Sequence, residues 1–298
     1  MKSPKRRISG PALVTRASKR LAAVRKIPEV KTEEILAQVK VEAALDDSQI
    51  KEEELKVPDI EEPPRWREMV EKIKEMRAVT PAPVDTMGCE RIPDSAGELT
   101  PKNRRFELLV TLMLSAQTKD EVNFATMVKL RQYLKPVGGL TLEGIRKTPV
   151  DRLDELIYSV GFHSKKAKYI KDTCEILVTE FDGDIPQSTE DMIRLPGVGP
   201  KMAFLLRSAA WNITDGIGVD VHVHRLANMW KWVPKTSHPT PEKTRVALEK
   251  WLPREYWREI NPLLVGFGQT ICPSISPKCT HCTLSKGLCN AAFRKGAR

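Results

Sequence analysis

Long apolar runs are missing from this chain. No stretch of about 18 apolar residues occurs in its 298 residues, which excludes a bilayer-spanning helix and leads to the expectation of a soluble globular protein with no membrane partner. No secretory signal with an apolar core precedes the six cysteines, so a reducing compartment and metal ligation suit them better than disulfides. Sustained period-two alternation is also absent, as is any long internal repeat, and this argues against a half-buried sheet or a repeat array. Acidic residues are missing from residues 1–28, which hold nine Lys or Arg.

What is present is charge in blocks. Residues 29–62 carry four basic and twelve acidic residues, and residues 63–298 carry 36 basic and 27 acidic ones. Two basic segments therefore flank an acidic spacer, which fits a polyanionic partner such as DNA or, equally, a well-solvated surface. Residues 1–62 read as a disordered basic targeting tail and acidic spacer. The tail contains "PKRR" and is rich in Arg and Ser, so both a nuclear address and a mitochondrial transit peptide fit it.

From residue 63 the pattern is helical. Trp66, Met69, Val70, Ile73 and Met76 recur at helical spacing, as do Phe106, Leu109, Val110 and Met113. Thr118 with Glu121, Thr148 with Asp151 and Ser188 with Asp191 have the form of capping boxes, Pro149 is placed for a first helical position, and Gly161 is placed to stop a helix. The expected fold is all-α, about ten helices in two lobes.

The stretch "DMIRLPGVGPKMAFLLRSAAW" reads as helix, tight turn, helix. Gly197 and Gly199 tolerate positive φ and let a ligand approach the backbone, and Pro200 suits the first helical position. The N–H groups of Gly197, Val198, Gly199 and the helix start form a site for a phosphate oxygen. Nineteen residues after Lys201, the segment "GVDVHVHR" places Asp220 as an N-cap ahead of Val221, Val223, Leu226 and Met229. Cys272, Cys279, Cys282 and Cys289 follow with spacing C-x6-C-x2-C-x6-C. A single C-x2-C pair with one distant cysteine on each side suits a four-iron cluster, with zinc as the alternative.

Taken in order, "LMLSAQTKD", "LPGVGPK", "GVDVHVHR" and the cysteine wrap resemble the endonuclease III family of the helix-hairpin-helix DNA glycosylase superfamily, over roughly residues 65–295. The resemblance implies a helical barrel lobe over 101–214 with the hairpin, a second lobe from 65–100 plus 215–298 with a [4Fe-4S] cluster on the four cysteines, and an active site in the cleft between them. It implies a bifunctional enzyme that removes oxidised pyrimidines from duplex DNA and cleaves the resulting abasic site. Lys201 would attack the sugar C1′, displace the base and form a Schiff base, with its pKa lowered by burial and the helix N-terminus. Asp220 would stabilise developing oxocarbenium charge. Gln117 and Phe162 would fill the gap left by the extruded nucleotide, His222 and Arg225 would support the site or the phosphates, and Lys278 would touch DNA.

The family's last cysteine interval is one residue shorter than the one here, which bears on the local loop. A monomer bound to duplex DNA carrying damaged pyrimidines or abasic sites is expected, in nucleus and/or mitochondrion. The rivals are an adenine-type glycosylase, which lacks the hairpin lysine and is therefore disfavoured by Lys201, and a non-catalytic DNA-binding module, against which the presence of both Lys201 and Asp220 argues.

Overall fold

The apolar spacing gives most helices one face to bury, and two centres receive those faces. The computed structural model describes residues 57, 58, 60–235 and 239–293; among them are twelve α-helices and no strand, so the all-α expectation holds. The targeting tail lies outside the described residues, as does the spacer to residue 56. Val57 is already packed in a core, and its carbonyl accepts a hydrogen bond from Lys250 Nζ (2.7 Å), so the spacer reaches less far than residue 62.

The helices are α1 (Trp66–Ala78), α2 (Pro83–Met87), α3 (Pro101–Ser115), α4 (Asp120–Leu134), α5 (Leu142–Lys147), α6 (Val150–Leu156), α7 (His163–Glu180), α8 (Thr189–Ile193), α9 (Pro200–Trp211), α10 (Val221–Met229), α11 (Pro241–Trp251) and α12 (Trp257–Thr270). Short 3-10 turns join several of them, including Cys279–His281 and Thr283–Ser285.

The first hydrophobic cluster is built around α3, in which every residue from Phe106 to Leu114 is buried. A helix buried on all sides must satisfy any charge it carries internally. Glu107 does so by accepting hydrogen bonds from Arg131 Nε (3.0 Å) and Nη2 (2.6 Å), although burial still raises its pKa against the pull of that guanidinium. Helices α4, α7 and α9 pack on α3, and Ile92 joins this cluster from upstream of residue 101.

The second cluster joins α1 to α10, α11 and α12. Aromatic rings make that junction: Trp66 meets Trp251 and Tyr256 edge-on, with centroids 5.2 and 4.9 Å apart, and Trp251 donates its indole N–H to the Trp232 carbonyl (2.9 Å). Such pairings add directional preference to the area they bury.

Three local expectations change. Thr118 does not cap α4, whose N-cap is Lys119; its hydroxyl donates to Ala116 O and accepts from Gly161 N. Thr148 bonds back to Gly144 O (2.8 Å), so Pro149 becomes the N-cap of α6 instead of its first residue. The helix holding Leu156 ends there, before Gly161 can stop it. Ser188 does cap α8, accepting from Asp191 N (3.0 Å).

Candidate active site

The hairpin joins α8 to α9. Leu195 O accepts from Val198 N (3.0 Å), closing a β-turn with Pro196 and Gly197 at its centre, and Gly197 has φ +77°. Proline followed by a positive-φ glycine is the pattern of a type II turn. Leu195 and Val198 are buried and anchor the turn to the first cluster, so with its N–H already bonded Val198 has only its backbone carbonyl to offer a ligand. Gly199 differs from the sequence expectation: its φ is −97°, and it serves as the N-cap of α9. A Cβ at Gly199 would meet nothing within 4 Å, whereas one at Gly197 would lie 2.6 Å from the Tyr169 ring. The glycine at 199 therefore leaves the backbone open to an outside group at the N-terminus of α9, where the first N–H groups have no helical partner.

Lys201 is the second residue of α9 and is exposed. The burial expected around its amine is not present in the protein alone. Asp220 is half-buried and caps α10, its Oδ1 accepting from Val223 N (2.8 Å). The capping role read from sequence is thus present, and it leaves the second carboxylate oxygen available.

Lys201 and Asp220 share an electrostatic neighbourhood with His222, Asp120 and Cys89. Burial lowers the pKa of His222; the Asp220 carboxylate opposes this, while Arg225 and Lys201 reinforce it. The imidazole packs against Gly268, where a Cβ would come within 2.5 Å of its Nδ1. Burial raises the Asp120 pKa, and Glu121 and Asp220 push it the same way, against a hydrogen bond from Gln269 Nε2 (2.7 Å). Gln269 also accepts from Val84 N (3.1 Å), so it ties α12 to α2 and α4 at the edge of this group. Burial pushes the Cys89 thiol up to about 11, with the Lys201 ammonium a lesser opposing influence.

Sequence reasoning passed over Asp120 and Gln269. An acid in the first turn of a helix is ordinarily explained by the helix dipole, which hides any further use.

Gln117 and Phe162 lie 45 residues apart in sequence but in adjoining turns. Both are exposed, and both have positive φ, +52° and +57°. A Cβ on Gly161 would sit 2.8 Å from the Gln117 carbonyl, so the two turns touch through a glycine.

The remaining candidates fall around the cysteines. Cys272, Cys279, Cys282 and Cys289 line one small apolar cavity with Met229, Trp230, Phe267 and Leu284. Among the described residues no group of three or more His, Cys, Asp or Glu draws together as a single metal ion would require. Burial pushes Cys282 up to about 11, while the N–H groups of Leu284 and Ser285 favour its thiolate. Arg225 is turned onto Cys272, donating to its carbonyl (2.5 Å) and lying 3.9 Å from its Sγ. Its guanidinium is therefore engaged at the cysteine wrap, not held out toward a phosphate. Lys278 is exposed on the same segment.

Residues 110–254 match the family described as HhH-GPD superfamily base excision DNA repair protein. The chain is 48% identical over 233 residues to Endonuclease III-like protein 1 of Gallus gallus, covering 78% of this chain and 80% of that protein. It is 50% identical over 238 residues to Endonuclease III homolog 1, chloroplastic, of Arabidopsis thaliana, covering 78% of this chain but only 60% of that protein's length. Among solved structures, a trapped endonuclease III–DNA covalent intermediate is similar, with a TM-score of 0.61 and 26% identity over 76% of this chain and 96% of that one.

Proposed function

We propose that this chain, which belongs to the endonuclease III family of HhH-GPD superfamily base excision DNA repair proteins, excises oxidised pyrimidines from duplex DNA and cleaves the abasic strand, with Lys201 as nucleophile. The observation that carries this reading is the pairing of an exposed lysine on the first turn of α9 with the capping carboxylate of Asp220, around a common neighbour, His222.

The neutral Lys201 amine attacks the sugar C1′ as the bond from C1′ to the base nitrogen breaks, and the leaving base takes up a proton. A proton then passes from Nζ to the ring oxygen O4′ as the C1′–O4′ bond breaks, which opens the ring to a hydroxyl and gives the protonated C1′–Nζ Schiff base. Loss of a C2′ proton expels the 3′ phosphate, and water releases the enzyme. Asp220 faces the positive charge that develops on the sugar. His222, held toward its neutral form by burial, does not compete with the substrate for that carboxylate. Because Lys201 is exposed, water is excluded from its amine only when the duplex is seated.

The hairpin holds the DNA backbone through the N–H groups of Gly197, Gly199 and the first turn of α9, the Val198 N–H being used to close the turn, and Gln117 and Phe162 enter the gap left by the extruded nucleotide. Cys272, Cys279, Cys282 and Cys289 would hold a [4Fe-4S] cluster. Thiols that line one apolar cavity without meeting at a point fit a polynuclear group better than zinc, and the Leu284, Ser285 and Arg225 donors fit thiolates. When bound, such a cluster supplies a one-electron redox centre; no step of base excision passes through it. The nuclear or mitochondrial address belongs to residues outside those described and rests on their composition.

Duplexes carrying one oxidised pyrimidine test this reading. The wild-type protein is expected to release the base and nick the strand, and Lys201→Gln to bind without nicking. Base release without nicking by the wild type, or undiminished nicking by the variant, would refute it.

A further inference from the structure

Lys166 is 7% exposed and sits in the first turn of α7, where the helix dipole disfavours a cation. Burial pulls its pKa down to about 8, a second cost. Its three side-chain donors go to two carbonyls and a hydroxyl: Leu114 O at 2.8 Å, Ala116 O at 2.6 Å and Thr118 Oγ1 at 3.3 Å. These acceptors bracket Gln117, and Leu114 and Ala116 belong to the end of α3, where carbonyls lack helical partners. The backbone N–H of Lys166 meanwhile donates to Phe162 O (3.0 Å), and Thr118 Oγ1 also accepts from Gly161 N (3.3 Å). One residue thus binds both turns, and each turn holds a non-glycine residue in the left-handed region. Such conformations persist where the surroundings over-determine them.

We infer that Lys166 is a positioning residue that locks the Gln117 and Phe162 turns into one rigid, paired wedge, ready to enter the duplex before the nucleotide is extruded. This rests on the gap-filling reading of those two residues. A lysine is suited to the place because its ammonium offers three donors to the Gln117 turn while its own backbone N–H holds the Phe162 turn, and no apolar core side chain can make the first set of bonds. Lys166 itself touches neither base nor sugar.

The test compares Lys166→Met, Thr118→Ala and Gln117→Ala on two substrates: an intact duplex with an oxidised pyrimidine, and a duplex with a preformed abasic site. A 2-aminopurine beside the lesion reports unstacking. Lys166→Met is expected to lose about tenfold or more in excision from the lesion duplex, with a matching loss of the 2-aminopurine rise, while cleavage at the abasic site changes little. Thr118→Ala, which keeps the lysine and both carbonyl bonds, should show the same split more weakly and serves if Lys166→Met does not fold. Adding Gln117→Ala to either variant should cost less than the separate losses combined, because the residues act as one unit. Equal losses on both substrates, or wild-type unstacking in Thr118→Ala and Lys166→Met, would overturn the inference. If Gln117→Ala alone leaves lesion excision unchanged, it is the gap-filling reading beneath it that fails.

Discussion

A Cβ at Gly197 would press on the Tyr169 ring in a backbone already at φ +77°, while a Cβ at Gly199 would project into open space at φ −97°. The two glycines look alike in the sequence because φ is set by the buried neighbours Leu195 and Val198, which sequence does not place. Gly197→Ala should therefore destabilise the protein by about 1–2 kcal/mol from the left-handed conformation alone, and further through Tyr169. Gly199→Ala should stay within about 0.5 kcal/mol of wild type, yet weaken DNA binding by blocking backbone approach. Urea unfolding and a DNA titration at fixed salt check the pair; equal stability losses would contradict the division of roles. Lys201 shows the same limit of sequence reading: its place after the hairpin was legible, but its exposure was not, because exposure depends on what packs beside α9.

Among the elements, α10 has a use for each part of its length. Its N-cap is Asp220, and Arg225 reaches Cys272. Cap and chemistry can be separated, since Asn is as good an N-cap as Asp. Asp220→Asn should unfold with nearly the wild-type urea midpoint but release bases far more slowly, while Asp220→Ala should lose about 1 kcal/mol as well. Unfolding and single-turnover excision, measured on both variants, would expose a purely structural aspartate if Asn restored activity. The caps at Ser188 and Asp220 were legible because both bonds are local, three residues ahead. Those expected at Thr118 and Thr148 were not, since the first hydroxyl is drawn to Gly161 and Lys166 across the fold and the second to the preceding turn. Lys166 carried a faint signal, a cation in the first turn of a helix, but its acceptors 48 to 52 residues away are invisible without the fold.

For the whole molecule, the all-helical class was legible from apolar periodicity, whereas the return of α1 to the C-terminal segment followed only from the family resemblance, because periodicity cannot pair Trp66 with Trp251 and Tyr256 across almost the full described chain. Four thiols line a cavity beside that second cluster, so a group held there would add to its stability. Anaerobically purified protein should contain iron and acid-labile sulfide, and Cys282→Ser should lose both together with part of the cooperative unfolding transition. Stoichiometric zinc without iron would contradict the cluster.

The most direct measurement concerns the covalent step. Borohydride added during turnover on an abasic duplex should freeze one protein–DNA adduct, and proteolysis with mass mapping should place it on Lys201 Nζ; Lys201→Gln should give none while still binding the duplex. An adduct on any other lysine, or undiminished trapping in a folded Lys201→Gln, would show that the chemistry does not reside at the hairpin.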